Sequence, residues 1–328
     1  MTFGRLARGI LAAMFVVASA CAAQAAGTGL IFISSEKDDA VAVLNGESYE
    51  VLERIPVGER PRHMQFNRDR TLIYVACSEA DSIQIIDVSQ RKVVDRIDEV
   101  EDPELFDLSP DGRFMYISLE DDAALGILDL STKEMIAEVA VGPEPEGILV
   151  APDGRTVYVA SEVANLVHVV DTESREVRAN ILVGNRPRRF ALTPDGKELW
   201  ISNELSGSVS IIDAARNAVV DTIEFLPRGM RPEQVTPVGV AIAADGRTAF
   251  VSLGRANHVA VVDVRSRAVT DYLLVGERAW NLAFDRSQRR LFVINGLSDD
   301  MSVIDVEDLK VVTSVPVGRV PHSILIDD

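Results

Sequence analysis

One column of residues in this sequence changes type while everything around it repeats. A Val-Gly-x-x-Pro segment recurs along the chain. The residue after its proline, or at the equivalent place, is in turn Arg62, Glu104, Glu146, Arg188, Val238, Trp280 and His322. A position that only packs would keep one type. Guanidinium groups, carboxylates, an imidazole and an indole at one repeated address point instead to binding, because functional side chains gather on variable segments held by a rigid scaffold. A second column reads Glu36, Ser78, Glu120, Glu162, Glu204, Gly254 and Gly296. Its four carboxylates have two readings: an acidic collar that attracts cations or a basic partner, or solvated loop positions where Glu does no harm. Arg186, Arg188 and Arg189 lie on one connecting segment. Arg suits bidentate carboxylate recognition, so this cluster is where an anionic ligand would be held.

Other chemistry is missing from the sequence. It contains no Cys-x-x-Cys-His for covalent haem, no Gly-x-Ser-x-Gly nucleophile elbow and no phosphate-cradling glycine loop. His63, His168, His258 and His322 show no metal-ligand spacing, so no metal site is expected. His168 lies in an apolar run and reads as a satisfied core residue, and Cys77 reads as a small apolar packing group. No residue is assigned a catalytic role.

The elements that position these columns follow from a repeat. An apolar pair followed by Asp recurs at Ile86-Asp87, Leu128-Asp129, Val170-Asp171, Ile212-Asp213, Val262-Asp263 and Ile304-Asp305. The step is 42 residues, with a single step of 50, and Asn45 occupies the preceding place. Phe32, Tyr74, Tyr116, Tyr158, Trp200, Phe250 and Phe292 form an aromatic column in the same register. Each unit reads as four short strands rich in β-branched residues. In one unit these are 147–150, 156–160, 166–170 and 176–183, with Pro152-Asp153-Gly154 turning the first hairpin. A period near 40 with four strands marks a propeller blade. The reading is therefore all-β, a seven-bladed β-propeller of four-stranded antiparallel blades, and the tail strand (323–326) completes the first blade. Connections between blades and the loops between second and third strands then open on one face, around the channel. The longer step is an eight-residue insertion in blade five near 225–234; it carries Arg231, and insertions in repeat proteins collect on the binding face.

The first 25 residues read as a cleavable signal peptide: Arg5 and Arg8, an apolar run, then Ala23-Gln24-Ala25. Residues 26–328 are read as a single propeller domain. The expected location is the periplasm, with an uncleaved anchor or lipidation at Cys21 as the alternatives. No apolar run after residue 25 is long enough to span a bilayer. The full chain has a net charge of -18, and the leader contributes only basic residues, so the exported chain is more acidic still. Such a surface disfavours nucleic acid and anionic membranes and favours cations or basic proteins. With Cys77 the one thiol after the leader, no internal disulfide is expected.

Tyr-Val-Ala and Tyr-Ile-Ser strands, Ile-Asp ends, Val-Gly-x-x-Pro and Pro-Asp-Gly together resemble the YVTN-type (WD40-like) repeats of exported bacterial propellers, over residues 30–328. The segments Asp102-Pro103-Glu104-Leu105-Phe106, Arg231-Pro232-Glu233-Gln234-Val235, Tyr272-Leu273-Leu274-Val275-Gly276 and Met301-Ser302-Val303-Ile304-Asp305 sharpen the likeness. They are similar to the β-propeller proteins associated with PQQ-dependent alcohol catabolism. The chain departs from that pattern at Pro321-His322, where an aromatic is expected after the proline. The resemblance implies a binding or accessory protein working beside a periplasmic quinoprotein dehydrogenase or a basic cytochrome, and it brings no defined reaction. Quinoprotein dehydrogenases are larger, eight-bladed and Trp-rich, whereas this chain has two Trp. The alternatives are a lactonase-type propeller hydrolase, which fold analogy alone does not establish, and a propeller that captures haem or quinone non-covalently. No cofactor is expected under the main reading. The candidate site is Arg62, Glu104, Glu120, Glu146, Glu162, Arg186, Arg188, Glu204, Arg231, Trp280 and His322.

Overall fold

The computed structural model describes Met1 and residues 27–328, so the leader expected over residues 1–25 lies outside the described residues apart from Met1. Seven four-stranded antiparallel sheets follow one another. Blade one takes three strands from residues 30–56 and its innermost strand from the tail. Blades two to seven span residues 61–98, 103–140, 145–182, 187–224, 240–274 and 279–316. Blade four shows the pattern, with strands Pro145–Val150, Thr156–Ser161, Leu166–Asp171 and Glu176–Leu182. The second and third strands are buried on both faces and read as continuous apolar runs. The outermost alternates between exposed and covered residues, as a strand with one wet face should. Among the described residues there is no α-helix, only three short 3-10 turns.

The aromatic column explains how the blades stack. Seven apolar clusters form, each built from two neighbouring blades, and each holds one member of the column. Trp200 of blade five, fully buried, packs against Ala249 and Val251 of blade six. Phe292 of blade seven meets Ile31 and Ile33 of blade one. A large ring at this address fills the wedge between twisted sheets, and truncating one to Ala would cost about 3–5 kcal/mol.

The ring closes as the repeat count requires. The tail strand Pro321–Asp327 pairs antiparallel with Leu30–Ser35, matching Phe32 to Leu325. Asp327 fastens the seam. Its carboxylate accepts hydrogen bonds from Thr28 Oγ1 at 2.7 Å and Arg70 Nε at 3.1 Å.

The repeated Asp caps the turn between third and fourth strands. Asp213 Oδ1 accepts from the backbone N–H groups of Ala215 and Arg216, and Asp263 Oδ1 accepts from that of Ser266. Asn45 Oδ1 accepts from Glu47 and Ser48 in the same way. Only a side-chain oxygen one carbon from Cβ is needed, so Asn substitutes without loss. In the Pro-Asp-Gly turns Gly112, Gly154 and Gly196 take φ of 74°, 69° and 70°, where a Cβ would be strained.

The blade-five insertion is anchored at both ends. Phe225 and Val235 are buried in the cluster between blades five and six. Between them Pro232–Gln234 forms a 3-10 turn, and the first strand of blade six shortens to Val240–Ile242.

Candidate functional site

In an antiparallel meander the second-to-third loops and the blade-to-blade connections leave on one face. Each loop is tied to the connection beside it: Ser78 N–H donates to the Arg60 carbonyl, Glu162 N–H to Glu144, and Glu204 N–H to Arg186. A recurrent side-chain bond adds to this. Asp39, Asp81, Asn165 and Asn257 accept from the backbone N–H of Arg60, Asp102, Arg186 and Arg278. The four donors have φ of 55°, 35°, 57° and 58°, a left-handed conformation that costs a non-glycine residue about 1 kcal/mol or more. The bond holds each in place directly before an inner strand.

A cavity of about 280 Å³ opens at this face, on the mouth of the channel. Arg62, Glu120, Glu146, Glu162, Arg186, Arg188, Trp280 and His322, all expected from the sequence, line it. Glu104 and Glu204 are buried just behind them. Arg231 is not in the cavity wall. It lies exposed on the insertion, 3.6 Å from Glu233 and bonded to Gln234.

The first column is an ion-pair network rather than an exposed rim. Glu146 is its centre, with guanidinium nitrogens of Arg189, Arg188 and Arg62 at 2.7, 3.3 and 3.9 Å. Arg62 reaches Glu104 at 2.6 Å. Arg188 also pairs with Glu162 and approaches Glu204 at 3.7 Å, while Arg186 bridges the same two carboxylates at 2.6 and 3.3 Å. A buried charge is tolerated only when paired. The guanidinium groups divide their charge unequally. Burial would raise Glu146, but Arg188, Arg189 and Arg62 hold it at about 2. Burial, with Glu146 beside it, pushes Glu162 up to about 7 and Glu104 up to about 9. His322 and His63 are both held far below the usual imidazole value by burial, with Arg189 adding to it, His63 at about 3. Both imidazoles are therefore neutral at physiological pH.

Serines set the depth of these residues. Ser34 Oγ donates to the Arg62 carbonyl at 2.6 Å, Ser118 to Glu146 at 3.0 Å and Ser202 to Val238 at 2.6 Å; Ser252 bonds Trp280 likewise. Each serine ties one blade to the site residue of the next. They stand two positions before the loop column, where the Tyr-Ile-Ser motif already displayed them. Close approach also needs glycine. A Cβ on Gly239 would sit 2.7 Å from the Trp280 carbonyl oxygen.

Two cavity-wall residues, Arg60 and Arg278, went unnoticed in the sequence because they precede the inner strand rather than follow its proline. Arg60 lies 3.8–3.9 Å from Glu36, Asp102 and Glu104. Arg278 differs. Of the five guanidinium groups in the wall, Arg60, Arg62, Arg186 and Arg188 meet carboxylates, and Arg278 meets none among the described residues. It lies over the Trp280 ring at 4.5 Å, with Arg188 at 5.0 Å from the same ring. Burial draws Arg278 below its ordinary value.

Asp102, Glu104 and Glu120 bring one carboxylate oxygen each within 4.8 Å of one another, close enough to hold a cation. Elsewhere the sequence reading of the histidine and thiol chemistry holds. His168 is satisfied by Asn180 at 2.6 Å and Ser161 at 2.9 Å. The buried Cys77 thiol is pushed up to about 12 by burial.

Comparison with known proteins places this architecture. The family model for the seven-bladed β-propeller lactonases matches residues 109–219 and 177–314, together more than half of the chain. The YNCE-like β-propeller model matches residues 6–122. No curated protein matches the sequence. Among solved structures, hydrazine synthase of Kuenenia stuttgartiensis aligns with a TM-score of 0.76 at 18% identity, over 85% of this chain and 92% of that one. A functionally unknown protein from Desulfotomaculum acetoxidans gives 0.77 at 17%, over 91% and 99%. The dihydro-haem d1 dehydrogenase NirN gives 0.69 at 17%, over 91% and 75%. At such identity these neighbours establish the fold and no more. The chain belongs to the seven-bladed β-propeller family described as lactonase.

Proposed function

We propose that this protein is an exported, non-catalytic binding propeller that holds a small carboxylate-bearing ligand at the channel mouth. Its setting is the periplasm, beside PQQ-dependent alcohol oxidation. One observation carries the ligand class. In a wall where the other guanidinium groups are already paired, Arg278 is half-buried, stacked on Trp280 and without a carboxylate partner among the described residues. A desolvated guanidinium presents a planar fork that a carboxylate satisfies with two charge-assisted hydrogen bonds. Alcohol oxidation ends in such compounds, which ties the ligand class to the setting the sequence motifs suggest. The acidic loops of blades one to three, including Asp39, Asp81, Asp121 and Asp122, suit a basic protein partner such as a cytochrome, or a complementary patch of a quinoprotein dehydrogenase.

The test is calorimetric titration with straight-chain carboxylates, the matching alcohols and the matching lactones. Carboxylates are expected to bind and alcohols not, and Arg278→Gln should weaken carboxylate binding about ten-fold or more. Equal affinity for alcohol and carboxylate would end this reading.

The second reading is lactone hydrolysis. The family match favours it, as does Glu162 in the cavity wall, whose value near 7 suits a general base at neutral pH. Lactone turnover by the purified protein that disappears in Glu162→Gln would establish it in place of simple binding.

A further inference from the structure

The cavity has a second pole. Blades three and seven lie on opposite sides of a seven-membered ring, so the Glu120 loop stands across the channel mouth from Arg278. Glu120 lines the cavity without an ion-pair partner among the described residues, and its carboxylate clusters with those of Asp102 and Glu104. Glu104 is fully buried and neither of its oxygens accepts a well-oriented hydrogen bond, although Arg62 Nη2 lies 2.6 Å from one of them. Arg60 stays 3.8–3.9 Å from Asp102 and Glu104. Three carboxylates thus share two guanidinium groups, one of them remote. At the opposite wall Trp280 is 7% exposed and its Nε1–H has no acceptor among the described residues, beside Arg278, which is likewise unpaired among them. Among the described residues, the wall thus holds an unpaired guanidinium, Arg278, in blade seven and an unpaired carboxylate, Glu120, in blade three.

We infer that the ligand is a small zwitterion, an ω-amino acid in chemical class, with its carboxylate at Arg278, beside Trp280, and its ammonium at Glu120, with Asp102 and Glu104 behind it. This inference rests on the carboxylate reading above and adds the second contact. An ammonium suits the acidic pole because it can donate to the Glu120 carboxylate in the cavity wall while the neighbouring acidic groups favour a positive charge. The methylene chain between the two charges would cross the middle of a cavity of about 280 Å³. Neither pole is dispensable. A plain carboxylate leaves the acidic cluster unmet, and a plain amine leaves Arg278 unmet.

The experiment is calorimetry on the exported chain with 5-aminovalerate, valerate and pentylamine, followed by a ladder from β-alanine to 6-aminohexanoate. We expect 5-aminovalerate to bind at least ten-fold tighter than valerate or pentylamine, with one chain length preferred. Glu120→Gln should bring 5-aminovalerate down to the level of valerate and leave valerate unchanged, whereas Arg278→Gln should weaken both. The melting temperature of each variant shows that it folds. If valerate binds and 5-aminovalerate is no tighter, the acidic pole has no ligand role and this inference falls while the carboxylate reading survives. Should neither bind, both fall. Equal loss of valerate and 5-aminovalerate in Glu120→Gln would also overturn it, because the residue would then act through the shape of the cavity.

Discussion

The two faces of the disc use the same strands for opposite ends. On the face of the third-to-fourth-strand turns, nearly every blade places the same Asp in the same bonds, and Asn45 does the work once. On the face of the channel mouth, one address carries Arg, Glu, Val, Trp and His in different blades, and the charged members pair across blades. The first face builds each blade by itself. The second links Glu146 of blade four to Arg62 of blade two and to Arg188 and Arg189 of blade five, so its energetics belong to the ring as a whole. Uniform residues mark a local task, and mixed residues mark a shared one.

The sharpest way to break this contrast is Glu146→Ala. It leaves three buried guanidinium groups facing one another and should cost about 3–5 kcal/mol of stability, the usual penalty for removing one partner of a buried pair. Denaturant unfolding measures it, and a cost below about 1 kcal/mol would reduce the network to decoration. Glu146→Gln keeps the hydrogen-bond acceptor and should lose less.

A smaller effect concerns pH. Glu162 is raised to about 7, above an unfolded value near ~4.3. Its folded form prefers the proton, so its contribution to stability is full below pH ~4.3 and is lost as the pH rises through 7. Glu146 behaves oppositely. Held at about 2, it stabilises above its unfolded value and loses that contribution as the pH falls toward 2. Glu104, raised to about 9, loses stability with rising pH over the same range as Glu162. Thermal melts should therefore show a higher melting temperature at pH 5 than at pH 8, and Glu162→Gln should reduce that slope without abolishing it while leaving the acid limb. A Glu162→Gln profile with the same slope as the parent between pH 5 and 8 would remove Glu162 from the account.

The smallest effect sharpens the other face. Asp213→Asn should leave the melting temperature unchanged because Asn45 already makes the same turn, whereas Asp213→Ala should lower it by a few degrees. If Asn and Ala lower it equally, charge rather than the oxygen acceptor is what this turn needs.

Legibility in the sequence followed the same division. The strands of blade four were placed to within about two residues, and the closing strand was identified from the count of strands alone, because both depend on local pattern and on ring closure. The first column was recognised as distinctive, yet nothing local said that Arg62, Glu146 and Arg188 would pair with one another. Arg278 escaped notice for a related reason. Its identity matches Arg60 and Arg186 at the equivalent place, and only its surroundings, Trp280 instead of a carboxylate, set it apart. Arg231 showed the converse: an insertion beside the mouth attracts attention, while its buried anchors Phe225 and Val235 leave the arginine in solvent.

By itself the sequence determined the blade, its turns and the number of blades, since alternation, Asp caps and a fixed period act over a few residues or repeat without regard to the rest. The tertiary structure decided which charges meet. Residues as far apart in the chain as Arg62 and His322 converge on one cavity, and whether a guanidinium is satisfied or free depends on neighbours that only the closed ring brings within reach. Electrostatic energy falls with distance in space, and distance along the chain does not report it.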